Sequence, residues 1–256
     1  MLSVHNLVKE FDGLTAVSDL SFTVEPETIT GLIGPNGAGK TTTFNMITGH
    51  VKPSYGSIHF DGQDITNLRP HQAFHLGIVR TFQIPRPFSG MTVLENLTMV
   101  PGNQIGENVW NNWLRRSKVE NEELRIQRKA HELLEFLNLS DLNNEFSGNL
   151  SGGQLKLLEL GRALMSDPKL ILLDEPAAGV NPTLLEEIIE RIREIHHQGV
   201  TFLIIEHNME LVMRLCSSVL VMAEGGILME GSPEEIRSDP RLIDAFLGGS
   251  TSSSDN

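Results

Sequence analysis

Apolar and polar residues alternate over the opening stretch of the chain: Leu2, Val4 and Leu7, then Phe22 and Val24. A period of two predicts short antiparallel strands with one covered face. The pattern then changes. Residues 29–33 form an apolar run that ends in Gly-Pro-Asn-Gly, the mark of a buried strand entering a glycine-rich loop. A helix is predicted from Lys40, carrying Phe44, Met46 and Ile47, until Gly49 and Pro53 stop it. Residues 57–60 and 78–82 read as further strands.

Past about Glu95 the texture differs. Between residues 110 and 139 charged positions alternate with an apolar stripe. Ala130, Leu133, Leu134 and Leu137 recur at i, i+3, i+4 and i+7, one face of a helix. Residues 96–165 are therefore expected to be a mainly helical insertion. Residues 170–173 are a short apolar run before Asp-Glu-Pro, and 201–205 are another; both read as buried parallel strands. Residues 184–196 are helical by pattern. Residues 219–222, Glu224-Gly225-Gly226 and 227–229 read as strand, turn and strand. The glycine- and serine-rich end, 249–256, is expected to be disordered. No solenoid-type repeat is visible.

The chain has 256 residues, with 20 Lys and Arg against 33 Asp and Glu, a net charge of −13. That balance argues against a general nucleic-acid binder, which shows a basic excess. A single cysteine, Cys216, excludes an internal disulfide framework and a cysteine-rich metal site. No apolar run approaches the roughly 18 residues that span a bilayer. The opening Met-Leu-Ser-Val-His has no basic start followed by an apolar stretch, so no secretory signal is expected. These bounds point to a soluble protein of a reducing compartment, most simply the cytoplasm.

Gly34-Pro35-Asn36-Gly37-Ala38-Gly39-Lys40-Thr41 fits G-x-x-x-x-G-K-[ST]. The glycines let backbone N–H groups turn around a phosphate, and the helix that follows offers the same anion its positive end. Lys40 is expected to reach the β- and γ-phosphates, and the Thr41 hydroxyl to ligate Mg²⁺. Asp174 and Glu175 follow the apolar run 170–173, where parallel sheets place their chemistry. Asp174 suits direct or outer-sphere control of Mg²⁺; Glu175 suits the general base that polarises the attacking water. His207 stands at another strand end, placed to meet the γ-phosphate. Gln83, after residues 78–82, has an amide that either ligates Mg²⁺ or holds the water. Leu150-Ser151-Gly152-Gly153-Gln154 opens a second helix, with Leu157, Leu160, Gly161 and Leu164 as its stripe. It reads as a second anion site. One phosphate loop has no evident need of two such sites, so the simplest reading is that this one caps the nucleotide of another subunit.

With LSGGQ at 150–154, the sequence resembles the ATP-binding subunits of ABC transporters. Phosphate loop, Gln83, this signature, Asp174-Glu175 and His207 occur in the family's order, over about residues 1–247. The resemblance implies an α/β fold: a P-loop NTPase (RecA-like) core with an antiparallel β subdomain, at 1–95 and 166–230. It implies a helical signature subdomain at 96–165, and 231–248 is left as a C-terminal segment. It implies ATP and Mg²⁺ as ligands, with two cassettes closing head to tail on two ATPs. Phe11 takes the position of an aromatic that stacks on adenine, where tyrosine is more usual. Val17 and Thr42 join the nucleotide-binding positions. The loop after Glu175 commonly ends in aspartate; here Asn181 stands there, with the shape but not the charge.

A narrower resemblance is to the subgroup serving branched-chain amino-acid importers. It rests on Arg80-Thr81-Phe82-Gln83, Met91 to Asn96, the insertion around Trp110 and Trp113, the run from Ala177 to Pro182, and the ending from Asp239 to Gly248. Urea or other polar-solute transporters share several of these features. The resemblance implies a second ATPase, identical or paralogous, two transmembrane permeases and, indirectly, a solute-binding protein. It places the chain on the inner face of the membrane through those permeases, and has residues 84–100 touching a permease. Non-transport ABC ATPases fit less well. The 111 residues from Lys40 to Ser151 leave no room for long coiled coils, and only one cassette is present. An ATP-sensing module without turnover is disfavoured by Glu175 and His207.

Overall fold

The computed structural model describes residues 1–81, 87–102 and 116–248. Its strands are β1 (Leu2–Phe11), β2 (Leu14–Val24), β3 (Ile29–Ile33), β4 (Tyr55–Phe60), β5 (Gln63–Asp64), β6 (Ile78–Arg80), β7 (Leu170–Asp174), β8 (Thr201–Ile205), β9 (Ser218–Ala223) and β10 (Gly226–Gly231). The chain divides into two compact units. One takes residues 1–83, 169–178 and 189–256; the other takes 84–168 and 179–188.

The first unit holds two sheets. One is antiparallel in the order β2-β1-β4-β5; the other runs β10-β9-β3-β8-β7-β6. In the second sheet β6, β7, β8, β3 and β9 pair in parallel, and only β10 is antiparallel. Every residue of β3, β7 and β8 is buried, which explains why these strands read as unbroken apolar runs. The opening strands are longer than their pattern predicts, 10 and 11 residues. Register shifts interrupt the β1–β2 pairing between Val4 and Leu7 and again near Lys9, which breaks the alternation without ending the ladder. Leu2, Val4, Leu7 and Phe60 of the antiparallel sheet share one core with Phe44 and with Leu32, Leu172 and Leu203 of the parallel sheet. β6 ends at Arg80; Thr81 still donates to Leu172 O at 3.0 Å, and residue 82 lies outside the described residues.

In the second unit the helix Val93–Thr98 packs against the helices Arg116–Phe136 and Gly152–Met165. Thr92 caps the first of these reciprocally: Thr92 Oγ1 accepts from Glu95 N (3.2 Å) and Glu95 Oε2 from Thr92 N (2.7 Å). Of the apolar stripe, Ala130, Leu134 and Leu137 are fully buried and Leu133 is half-buried. At Gly161 a Cβ would come within 2.7 Å of Leu137, so small size permits the close approach there. Trp110 and Trp113 lie outside the described residues, as does 249–256. The segment 231–248 forms two short helices, Pro233–Ser238 and Pro240–Gly248. Among the described residues no helix is long and apolar enough to cross a membrane.

Candidate functional site

Leu32 and Asp174 both pair with Ile205, so β3, β7 and β8 finish in one row. Ligands of parallel sheets bind outside such carboxyl ends. From β3 the chain turns through residues 34–39 into the helix Lys40–Ile47, which has no side-chain cap. An uncapped N-terminus directs its N–H dipoles at an anion. Two glycines of the loop are required by space as well as by conformation. A Cβ on Gly34 (φ 149°) would lie 2.1 Å from the Met222 carbonyl oxygen, and one on Gly39 (φ 96°) 2.5 Å from that of Ala16.

Lys40 is buried, with only 6% of it exposed. Its Nζ donates to the loop's own carbonyls, Gly34 O at 2.8 Å and Pro35 O at 2.9 Å. Burial lowers its pKa from the ordinary lysine value, while the nearby Glu175 and Asp174 charges oppose that shift. A phosphate would offer the ammonium a charged acceptor, about twice as strong as a neutral carbonyl.

The loop opens on a cleft of about 440 Å³. Phe11, Asn36, Gly37, Ala38, Gly39, Lys40, Thr41, Thr42, Glu175 and His207 line it, all expected from the sequence, together with Leu14, Thr15 and Ala16, which were not. His207 Nε2 lies 2.9 Å from Glu175 Oε1 across it. Phe11 is 42% exposed, with the Lys9 ammonium 4.7 Å from its ring centroid. Leu14 to Ala16 enter because Asp12 and Gly13 (φ 43° and 92°) make a two-residue turn that pairs Phe11 with Leu14. The Asp-Gly dipeptide was the available signal for that hairpin.

Other expected residues stand apart from this lining. Gly34 and Pro35 accept the Lys40 bonds behind it. Val17 is fully buried, its Cγ2 3.1 Å from where a Gly39 Cβ would be. Asp174 ends β7 with 6% exposure, its Oδ2 2.7 Å from Arg80 Nη2, and Arg80 Nη1 also donates to Asn45 Oδ1. Gln83 lies outside the described residues. Ser151, Gly152, Gly153 and Gln154 belong to the second unit and do not line the cleft. There Ser151 Oγ accepts from Gln154 N at 3.3 Å and Gln154 Oε1 from Ser151 N at 2.9 Å, a reciprocal helix cap. Ser151 and Gly152 are exposed, whereas Gly153 is buried against Leu184.

Thr41 and Asp174 are hard oxygen donors, the kind Mg²⁺ takes. Among the described residues no group of three or more His, Cys, Asp or Glu is gathered as a metal cage. Mg²⁺ at a phosphate site needs none, because water and the phosphates complete its shell. The residues present therefore fit that ion.

The family model described as "ABC transporter" matches residues 17–178, more than half of the chain. A probable branched-chain amino acid transport ATP-binding protein of Archaeoglobus fulgidus is 46% identical over 255 residues, covering 98% of this chain and 97% of that protein. A high-affinity branched-chain amino acid transport ATP-binding protein of Escherichia coli is 39% identical over 249 residues, 97% of this chain and 98% of that one. Among solved structures, a nucleotide-free ATP-binding cassette from an ABC transporter superposes with TM-score 0.82 at 41% identity, covering 96% and 98% of the two chains. A structure of the ADP conformation of an ATP-binding cassette of an ABC transporter gives TM-score 0.82 at 40% identity, covering 97% and 98%. With the phosphate loop, Glu175 and His207 brought together in one cleft of this fold, the chain belongs to the ABC transporter family.

Proposed function

We propose that this chain is the ATP-hydrolysing subunit of an importer for branched-chain or neutral amino acids. The observation that carries the hydrolytic part is the Glu175–His207 pair, 2.9 Å apart in the same cleft as Lys40 and the glycine loop. The transport part is supported by relatives 39–46% identical over nearly the whole chain, all named for branched-chain amino acid transport.

The reaction is ATP + H₂O → ADP + phosphate. The water oxygen bonds to the γ-phosphorus as the bond from that phosphorus to the β,γ-bridging oxygen breaks. Glu175 accepts a hydrogen bond from the water and takes its proton. His207 holds that carboxylate on one side and contacts the γ-phosphate on the other. Lys40 leaves the carbonyls of Gly34 and Pro35 for the β- and γ-phosphates. Phe11 stacks on the adenine. Thr41 and Asp174, with Gln83, would hold Mg²⁺, which would supply charge neutralisation to the transferring phosphoryl group. Ser151, Gly152 and Gly153 cap the ATP of a partner cassette, identical or paralogous. Two permeases hold the pair at the inner face of the membrane and couple closure to transport, with a solute-binding protein upstream.

Glu175→Gln tests the assignment. The variant keeps the shape of the side chain but not a base, so ATP binding should persist while turnover falls about a hundredfold or more. Lys40→Ala should instead lose nucleotide affinity. A Glu175→Gln chain that hydrolyses ATP at the parent rate removes Glu175 as the base.

A further inference from the structure

Glu206 is a carboxyl residue that no role above uses, and it is 3% exposed. A carboxyl group at that depth is tolerated only where hydrogen bonds replace its water. Both of its oxygens are engaged by backbone. Oε1 accepts from Ala177 N at 2.8 Å; Oε2 accepts from His207 N at 2.9 Å and Asn208 N at 3.0 Å. One side chain thus ties the loop that follows Glu175 to the turn that bears His207.

The loop needs such a tie. Glu175 sits at φ 51°, in the left-handed region that a side chain makes costly. Glu175 N donates to Ile205 O at 2.9 Å, and Ala178 N to Glu175 O at 3.1 Å. The first of these bonds holds the loop to the end of β8 at Glu175. Glu206 adds a point of attachment two residues on, at Ala177. Bonds on both sides of Pro176 fix the direction in which the Glu175 carboxylate leaves the backbone. The same carboxylate fixes the amide of His207, whose ring meets Glu175 Oε1 at 2.9 Å.

We propose that Glu206 is a positioning residue for hydrolysis, a buried brace whose two oxygens hold the loop after Glu175 and the His207 turn in mutual register. This rests on the hydrolytic reading of Glu175 and His207. It adds a residue that touches neither nucleotide nor water and acts through the two that do.

Glu206→Gln is the informative change, because an amide has one acceptor oxygen. It can serve His207 and Asn208, or Ala177, but must turn an NH₂ toward the remaining donor. With the full-length chain, kcat should fall about tenfold to a hundredfold while the affinity for ADP stays within about twofold. Backbone hydrogen exchange at Ala177 and Ala178 should rise about tenfold, with the amides of β8 unchanged. Parent-like kcat, or a loss of nucleotide affinity equal to the loss of kcat, would overturn the brace. So would parent-like exchange at Ala177. If the variant does not fold, the parent protein decides. Its Ala177 amide should exchange as slowly as those of β8, and exchange at open-loop rates refutes the tie. The exchange readout is independent of turnover, so it separates this proposal from the role of Glu175, which Glu175→Gln tests by itself.

Discussion

Arg80 closes β6 with a guanidinium that is 9% exposed and bridges Asp174 to Asn45 of the phosphate-loop helix, its Cζ 5.7 Å from the Phe44 ring centre. A buried ion pair owes little net stability to its attraction, but removing one partner leaves a charge without compensation. Arg80→Met should therefore destabilise the chain by about 3–5 kcal/mol. Adding Asp174→Asn should recover much of that loss without restoring hydrolysis. Denaturant melts of the two single variants and the double variant check it, and additive losses would show that the pair is not coupled. Cys216 illustrates the opposite case. Burial, with the Glu206 charge adding to it, pushes its thiol up to about 12, so this lone cysteine stays protonated and inert at neutral pH.

Asn96 organises the second unit at the level of elements. It is fully buried, and Oδ1 accepts from Phe88 N at 2.8 Å while Nδ2 donates to Thr92 O at 2.9 Å and reaches Ser147 Oγ at 3.2 Å. One amide thereby holds a helix, the segment before it and the turn at 147 together. Asn96→Ala orphans several buried groups and should cost roughly 2–4 kcal/mol, whereas Arg128→Ala, on the exposed face of Arg116–Phe136, should stay within about 0.5 kcal/mol. Equal melting points for the two variants would refute the network. Nothing in the spacing of apolar positions announced Asn96, because its partners are backbone atoms of residues 88 and 92 and the Ser147 hydroxyl, none of which that spacing records. β3, β7 and β8 were legible for the converse reason. Buried on both faces, they must be apolar throughout, and 29–33, 170–173 and 201–205 are. The opening hairpin was legible in kind but not in length, since its register shifts spoil the alternation.

For the molecule as a whole, the phosphate loop, Glu175 and His207 were readable because each follows a strand end or opens a helix, and a parallel sheet gathers such ends in one row, whereas Leu14 to Ala16 reach the cleft from the antiparallel sheet. Arg80 and Glu206 were not, because their roles lie in what they touch: Asp174 and Asn45 for one, the Ala177 and His207 amides for the other. This gathering has a thermodynamic consequence. A nucleotide that binds the folded cleft and not the unfolded chain stabilises by RT ln(1 + [L]/Kd), about 2.7 kcal/mol at a hundredfold excess over Kd. For a chain of this size that corresponds to a rise in Tm of roughly 5–10 °C. Lys40→Ala should abolish the rise, because the ammonium held at Gly34 and Pro35 is the charge awaiting the phosphates. Ser151→Ala should leave the rise unchanged in the single chain, since Ser151 does not line this cleft, and should lower turnover only where two cassettes meet. Thermal scans with ADP-Mg²⁺ on the three chains separate the two loops. A Ser151→Ala chain that loses the shift would make the second loop part of its own nucleotide site and remove the reason for a second cassette.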